Sequence, residues 1–102
     1  MDPKITLGEN KLQFSPESLA LLNAVPGNRI AINYVQVSSE YTFPVIGKAE
    51  YFSDPEAGNK LTKSNTVSYK GIQNKVLALY GTEFTLEEYK EGIYKMVKIN
   101  NN

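Results

Sequence analysis

Residues 11–35, KLQFSPESLALLNAVPGNRIAINYV, decide the fold, because a strand, a capped helix, a Pro-Gly turn and a second strand follow one another within them. Leu12 and Phe14 alternate with Lys11 and Gln13, the two-residue period of a half-buried strand. Ser15 then offers an acceptor to the unpaired N–H groups at a helix head. Pro16 stands at the first helical position, where its missing donor is not needed, and Glu17 sets a carboxylate at the positive end of the dipole. The pattern predicts a helix from Pro16 with Leu19 and Leu22, and Leu21 beside them, as its buried stripe. Asn23 is its stop, and Pro26-Gly27-Asn28 turns the chain. Two turns of helix do not persist alone, so packing against the flanking strands must hold them. From Arg29 to Val37, Ile30, Ile32 and Tyr34 fall on one side and Ala31, Asn33 and Val35 on the other, giving a strand with one apolar face.

The chain around this unit is 102 residues long, 41% hydrophobic and 22% charged, which suits one soluble domain over residues 1–99 with a polar, frayed tail at residues 100–102. It has no cysteine and no histidine. Thiolate and imidazole metal sites are therefore excluded, and the commonest general base is missing, which points away from an enzyme and from any cofactor. Eleven basic residues balance eleven acidic ones, so no global field draws the protein to nucleic acid or to an anionic membrane. No apolar run approaches a membrane span, and MDPKITLGEN is no export signal, so the chain is read as cytoplasmic.

Along the chain, Lys4 to Leu7 is a short strand turning through Gly8-Glu9-Asn10 into the opening unit. Pro44 cannot donate to a ladder, so the strand within Phe43 to Phe52 is expected from Val45 onward, with Gly47 marking a bulge or close approach. Ser53 to Asn59 is the most loop-like segment. Thr66 to Tyr69 is a short strand. Lys70 to Tyr80 is a helix whose Ile72, Val76, Leu79 and Tyr80 form a core-facing stripe, with Gly81 as its left-handed C-cap. Glu83 to Tyr89 and Ile93 to Ile99 form a final hairpin around Gly92, with Ile93, Val97 and Ile99 inward and Lys95 an irregularity of the same parity. Strand–helix–strand thus occurs twice, at residues 11–35 and 66–89. The fold class is α+β: a small mixed or barrel-like sheet of about six or seven strands with two short helices.

Phe14-Ser15-Pro16, Leu21-Leu22 and Pro26-Gly27-Asn28-Arg29-Ile30 resemble the signature of swapped-hairpin domains of the AbrB type, among the cradle-loop barrels. The resemblance implies a homodimer that binds DNA or a protein partner. Carried over residue by residue, the DNA contacts are Lys4, Lys11 and Arg29. Gln13 and Glu17 stand where that family is rich in arginine.

The charge distribution is most uneven after Glu56, since residues 57–82 contain Lys60, Lys63, Lys70 and Lys75 and no acid. With Tyr69 interleaved and Ser64, Asn65, Thr66 and Ser68 as neutral donors, these residues are candidates for holding phosphates of a nucleic acid; a solvated lysine surface is the plainer alternative. Among the seven tyrosines, Tyr34 and Tyr80 are read as core, and Tyr41, Tyr51 and Tyr89 as candidates for a protein interface. Glu87, Glu88 and Glu91 sit beside a turn and are read as a solvated edge. No residue is a catalytic or metal-ligating candidate. The expectation is a non-enzymatic binding module, associated with nucleic acid through the lysines or with a protein through an aromatic surface.

Overall fold

The computed structural model describes residues 2–99. In chain order they form β1 (Ile5–Gly8), β2 (Lys11–Phe14), α1 (Pro16–Leu22), β3 (Arg29–Gln36), β4 (Thr42–Lys48), a 3-10 turn (Ala49–Tyr51), β5 (Asn59–Lys60), β6 (Thr66–Ser68), α2 (Gly71–Ala78), β7 (Glu83–Lys90) and β8 (Ile93–Lys98). All eight strands belong to one antiparallel sheet in the order β5-β3-β4-β8-β7-β1-β2-β6. Its two end strands meet: the Asn59 side-chain amide donates to the Ser68 carbonyl at 2.9 Å, and the sheet curls into a nearly closed barrel. The α+β, barrel-like class is as expected, with eight strands rather than six or seven. The additional strand is β5, two exposed residues without apolar period, inside what reads as the end of a loop.

The opening unit folds as its residues dictate. Ser15 Oγ accepts from the Ser18 N–H and also from the Lys4 N–H, so one hydroxyl caps α1 and ties it to the approach to β1. Asn23 ends the helix in the left-handed region at φ 53°, and Asn28 Oδ1 accepts from the Val25 N–H to fix the turn. Leu19 and Leu22 are buried, whereas Leu21 points outward. Inside the barrel, Ile5, Leu12, Phe14, Ile46, Phe84 and Met96 close the core.

Three expectations need correction. β4 begins at Thr42 and contains Pro44, which pairs with Tyr34; β8 joins β4 only over Val45–Gly47, so the proline stands where no second ladder asks for its N–H. Residues beyond Lys48 leave the strand for the 3-10 turn. In β8 the core takes Tyr94 and Met96, while Ile93 belongs to a smaller apolar cluster with Phe43 and Val45 on the other side of the sheet, where Lys95 stands in register with Val45. Lys95 is therefore no irregularity, because its whole parity faces outward.

The third correction concerns α2. Of the expected stripe, Tyr80 packs against the core and Val76 is half-buried, but Ile72 and Leu79 face water, 78% and 84% exposed. Leu77, fully buried, is the helix's core residue. The roll is fixed by Asn74, whose side-chain amide donates to the carbonyls of Gly8 at 3.0 Å and Tyr69 at 2.8 Å. The C-cap is Leu79, still right-handed, and Gly81 lies beyond it. The expected tail at residues 100–102 lies outside the described residues.

This orientation of α2 makes a direct prediction. Leu77→Ala is expected to destabilise the fold by about 2–5 kcal/mol in urea unfolding, whereas Ile72→Ala and Leu79→Ala change it by no more than about 0.5 kcal/mol.

Candidate interaction surfaces

The four candidate lysines run from β5 through the turn that closes the barrel into α2. Lys60 on β5 stands opposite Arg29 of β3, Lys63 sits at the turn between β5 and β6, Lys70 is the N-cap residue of α2, and Lys75 lies within it. All four are exposed, and none makes an ion pair with another described residue. The turn that carries Lys63 is rigidly built. The Thr62 N–H donates to the Thr66 carbonyl, the two threonine hydroxyls lie 2.7 Å apart, and the Gln13 amide donates to the Ser64 carbonyl. Asn65 and Thr66 use their N–H groups within this turn. Tyr69 departs from expectation: it is buried in the core and offers no stacking surface.

On α2 the apolar stripe and the lysine coincide. Ile72, Lys75, Val76 and Leu79 are spaced by three or four residues, so they share one side of the helix, opposite the side that Leu77 and Asn74 hold against the barrel. A sequence reading finds this stripe by period alone and assigns it to the core. The one local sign against that is Asn74, a residue that bonds backbone carbonyls more readily than it exposes an amide on an inner face.

A second surface lies on the outer side of β3, β4, β7 and β8. Phe43 meets Tyr89 edge-on with ring centres 5.6 Å apart and Tyr41 at the same separation. Lys95 Nζ lies 4.7 Å from the Phe43 ring centre and donates to the Tyr41 hydroxyl at 2.9 Å. That hydrogen bond holds the Lys95 ammonium above its ordinary pKa, with desolvation opposing it. Tyr51 joins the same region through Gly92, whose φ of +75° suits the β7–β8 turn and whose lack of a Cβ leaves room for the Tyr51 ring. Beside these rings, Val35, Val45, Phe52, Tyr89, Lys90 and Ile93 line a groove of about 270 Å³. Tyr41, Phe43, Tyr89 and Lys95 are thus brought into one cluster. Glu87 faces Lys95 across the ladder and Glu88 faces Tyr94, so these carboxylates do not pair with each other.

A third feature lies at the seam where β3 leaves β5. There a cavity of about 180 Å³ is lined by Leu12, Ile30, Ile32, Val67, Tyr69 and Gln73 among others. Nearby, the Tyr34 ring packs 5.5 Å from that of Tyr80, and the Tyr34 hydroxyl is buried without a hydrogen bond. Burial first, and then the adjacent Tyr69 hydroxyl, push the Tyr34 phenol well above its usual pKa, and burial raises Tyr69 as well. The basic residues carried over by resemblance are dispersed: Lys4 pairs with Glu83 at 3.3 Å, Arg29 Nη1 donates to the Gly58 carbonyl, and Lys11 stands opposite Ser68. Among the described residues, no three acidic side chains converge to hold a metal ion.

Because the folded protein holds the Tyr34 and Tyr69 protons more tightly than the unfolded chain, their contribution to stability is complete below about pH 10 and is lost as pH rises beyond it. Tyr34→Phe removes an unpartnered hydroxyl. It is expected to leave neutral-pH stability unchanged or raised by up to about 1 kcal/mol and to flatten the alkaline loss, as measured by urea unfolding between neutral and strongly alkaline pH. In comparisons with known proteins, no family model matches this chain, and no curated protein or solved structure matches it.

Proposed function

We propose that this protein is a non-enzymatic binding module that docks an acidic protein surface on α2 and the turn between β5 and β6. The observation that carries this reading is the coincidence, on one short helix, of the two large hydrophobic side chains most exposed among the described residues, Ile72 and Leu79, with lysines that pair with no described residue. Residues 57–82 hold no acid to neutralise those lysines internally, so an anionic partner complements them.

Magnitudes assign the roles. Burying each aliphatic side chain yields roughly 1.5–3 kcal/mol, whereas an exposed lysine–carboxylate contact yields about 0.2–1 kcal/mol. The stripe therefore supplies affinity, and the lysines select the partner and speed encounter. Nucleic acid is the competing reading: the same lysines suit phosphates, but aliphatic side chains add little there, and the burial of Tyr69 removes the expected stacking ring.

Binding of a labelled acidic amphipathic peptide with Leu and Glu at helical spacing, and of single- and double-stranded DNA, is compared by anisotropy at two salt concentrations. The expected result is peptide binding that weakens by about tenfold or more in Ile72→Ser, in Leu79→Ser and in a Lys70→Glu/Lys75→Glu variant, each checked for folding by circular dichroism. DNA binding that survives Ile72→Ser and Leu79→Ser, with no peptide binding, overturns the reading in favour of nucleic acid.

A further inference from the structure

The outer edge of β3 is open. β4 pairs with β3 along its length, from Ile30 opposite Lys48 to Gln36 opposite Thr42. On the other side β5 pairs only with Arg29 and Ile30, and Gly58 packs over the Ile30 carbonyl and Ala31. Among the described residues, no strand adjoins that side from Ile32 to Gln36, and no turn or side-chain hydrogen bond reaches these residues' backbone. The run along this edge, INYVQ, contains no charge, no proline and no glycine. Proteins ordinarily blunt an edge with lysine, proline or a bulge to prevent pairing. This one carries none of those devices.

The edge also lies between two depressions, and Asn33 lines both. On the inner side is the seam cavity with Ile30, Ile32, Leu12 and Val67; on the outer side is the groove with Val35, Val45, Phe52, Ile93 and Lys90. Successive side chains of a strand point to opposite faces of its sheet. A strand laid along this edge would send alternate side chains into the two depressions while its backbone satisfies the unpaired groups of β3.

We propose that an extended segment of a partner protein adds as a strand to β3 from Ile32 to Gln36. Its residue for the seam cavity is a neutral aliphatic one, because charged side chains are absent from that lining. Its residue for the outer groove is apolar, with a carboxylate close by to meet Lys90 at the groove. A second copy of this chain fits less well, since Ile32 and Tyr34 of its own β3 pack within its own barrel and cannot enter the partner's depressions. Gln73 of α2 reaches the seam cavity, but Ile72, Lys75 and Leu79 line neither depression, so the inference stands independently of the function proposed above.

The test uses a displayed library of random dodecamer peptides selected on the intact protein. Selected peptides are expected to alternate apolar and polar residues, to shift the amide resonances of residues 32–36, and to lose binding by about tenfold or more when alternate backbone nitrogens facing β3 are methylated. Methylation of the other alternate set is expected to be tolerated, and Lys90→Glu is expected to remove the preference for an acidic residue. Because methylation alters the peptide, its effect does not depend on how the protein tolerates substitution. Failure to select any peptide, equal tolerance of both methylation patterns, resonance shifts centred on α2, or a dimer in sedimentation with residues 32–36 protected from exchange would each overturn the proposal.

Discussion

The barrel depends on one short join. β5 and β6 are the ends of the sheet order, and the segment between them, clasped by Thr62 and Thr66, brings those ends together through the Asn59 amide and the Ser68 carbonyl. Further backbone bonds pin the segment to the opening unit, from the Gly27 N–H to the Leu61 carbonyl and from the Leu61 N–H to the Asn28 carbonyl. Leu61 is buried between them. Without this join, β3 and β2 would both be free edges, and the core side chains Leu12, Ile30 and Val67 would open to water.

Because the join is only two residues long on the β3 side, it leaves the barrel incompletely closed. The same shortness produces the seam cavity and the unpaired run from Ile32 to Gln36. Tyr34, Tyr69 and Tyr80 pack around this gap, and the unsatisfied Tyr34 hydroxyl is a sign that the seam is filled by shape rather than by hydrogen bonding. An unsatisfied buried hydroxyl opposes folding by roughly 1–3 kcal/mol. That penalty is small against the apolar burial of the surrounding rings, which explains how the arrangement is tolerated.

α2 shows how a few polar contacts set the surface of a small protein. A helix of two turns has little packing of its own, and Asn74 holding two carbonyls, with Leu77 filling the core, is enough to choose which side faces in. The opposite side then carries Ile72 and Leu79 into water. Since folding gains nothing from that exposure, the stripe is the strongest physical reason to regard this face as a binding surface.

The sequence by itself determined whatever rests on neighbouring residues. Ser15, Pro16 and Asn23 start and stop α1, Gly92 shapes the last turn, and the alternation in β3 is legible without any tertiary information because capping and pleating are local. The candidate lysines were legible as a charge pattern, and Tyr41, Tyr51 and Tyr89 as tyrosines outside the core. Periodicity, however, tells that a stripe exists and not which way it faces. Tertiary contacts decided that Ile72 and Leu79 look outward, that Tyr69 is buried and that Lys95 joins Tyr41 and Phe43. Strand β5 was likewise invisible, since Asn59 and Lys60 have no pattern of their own and become a strand only because β3 lies beside them.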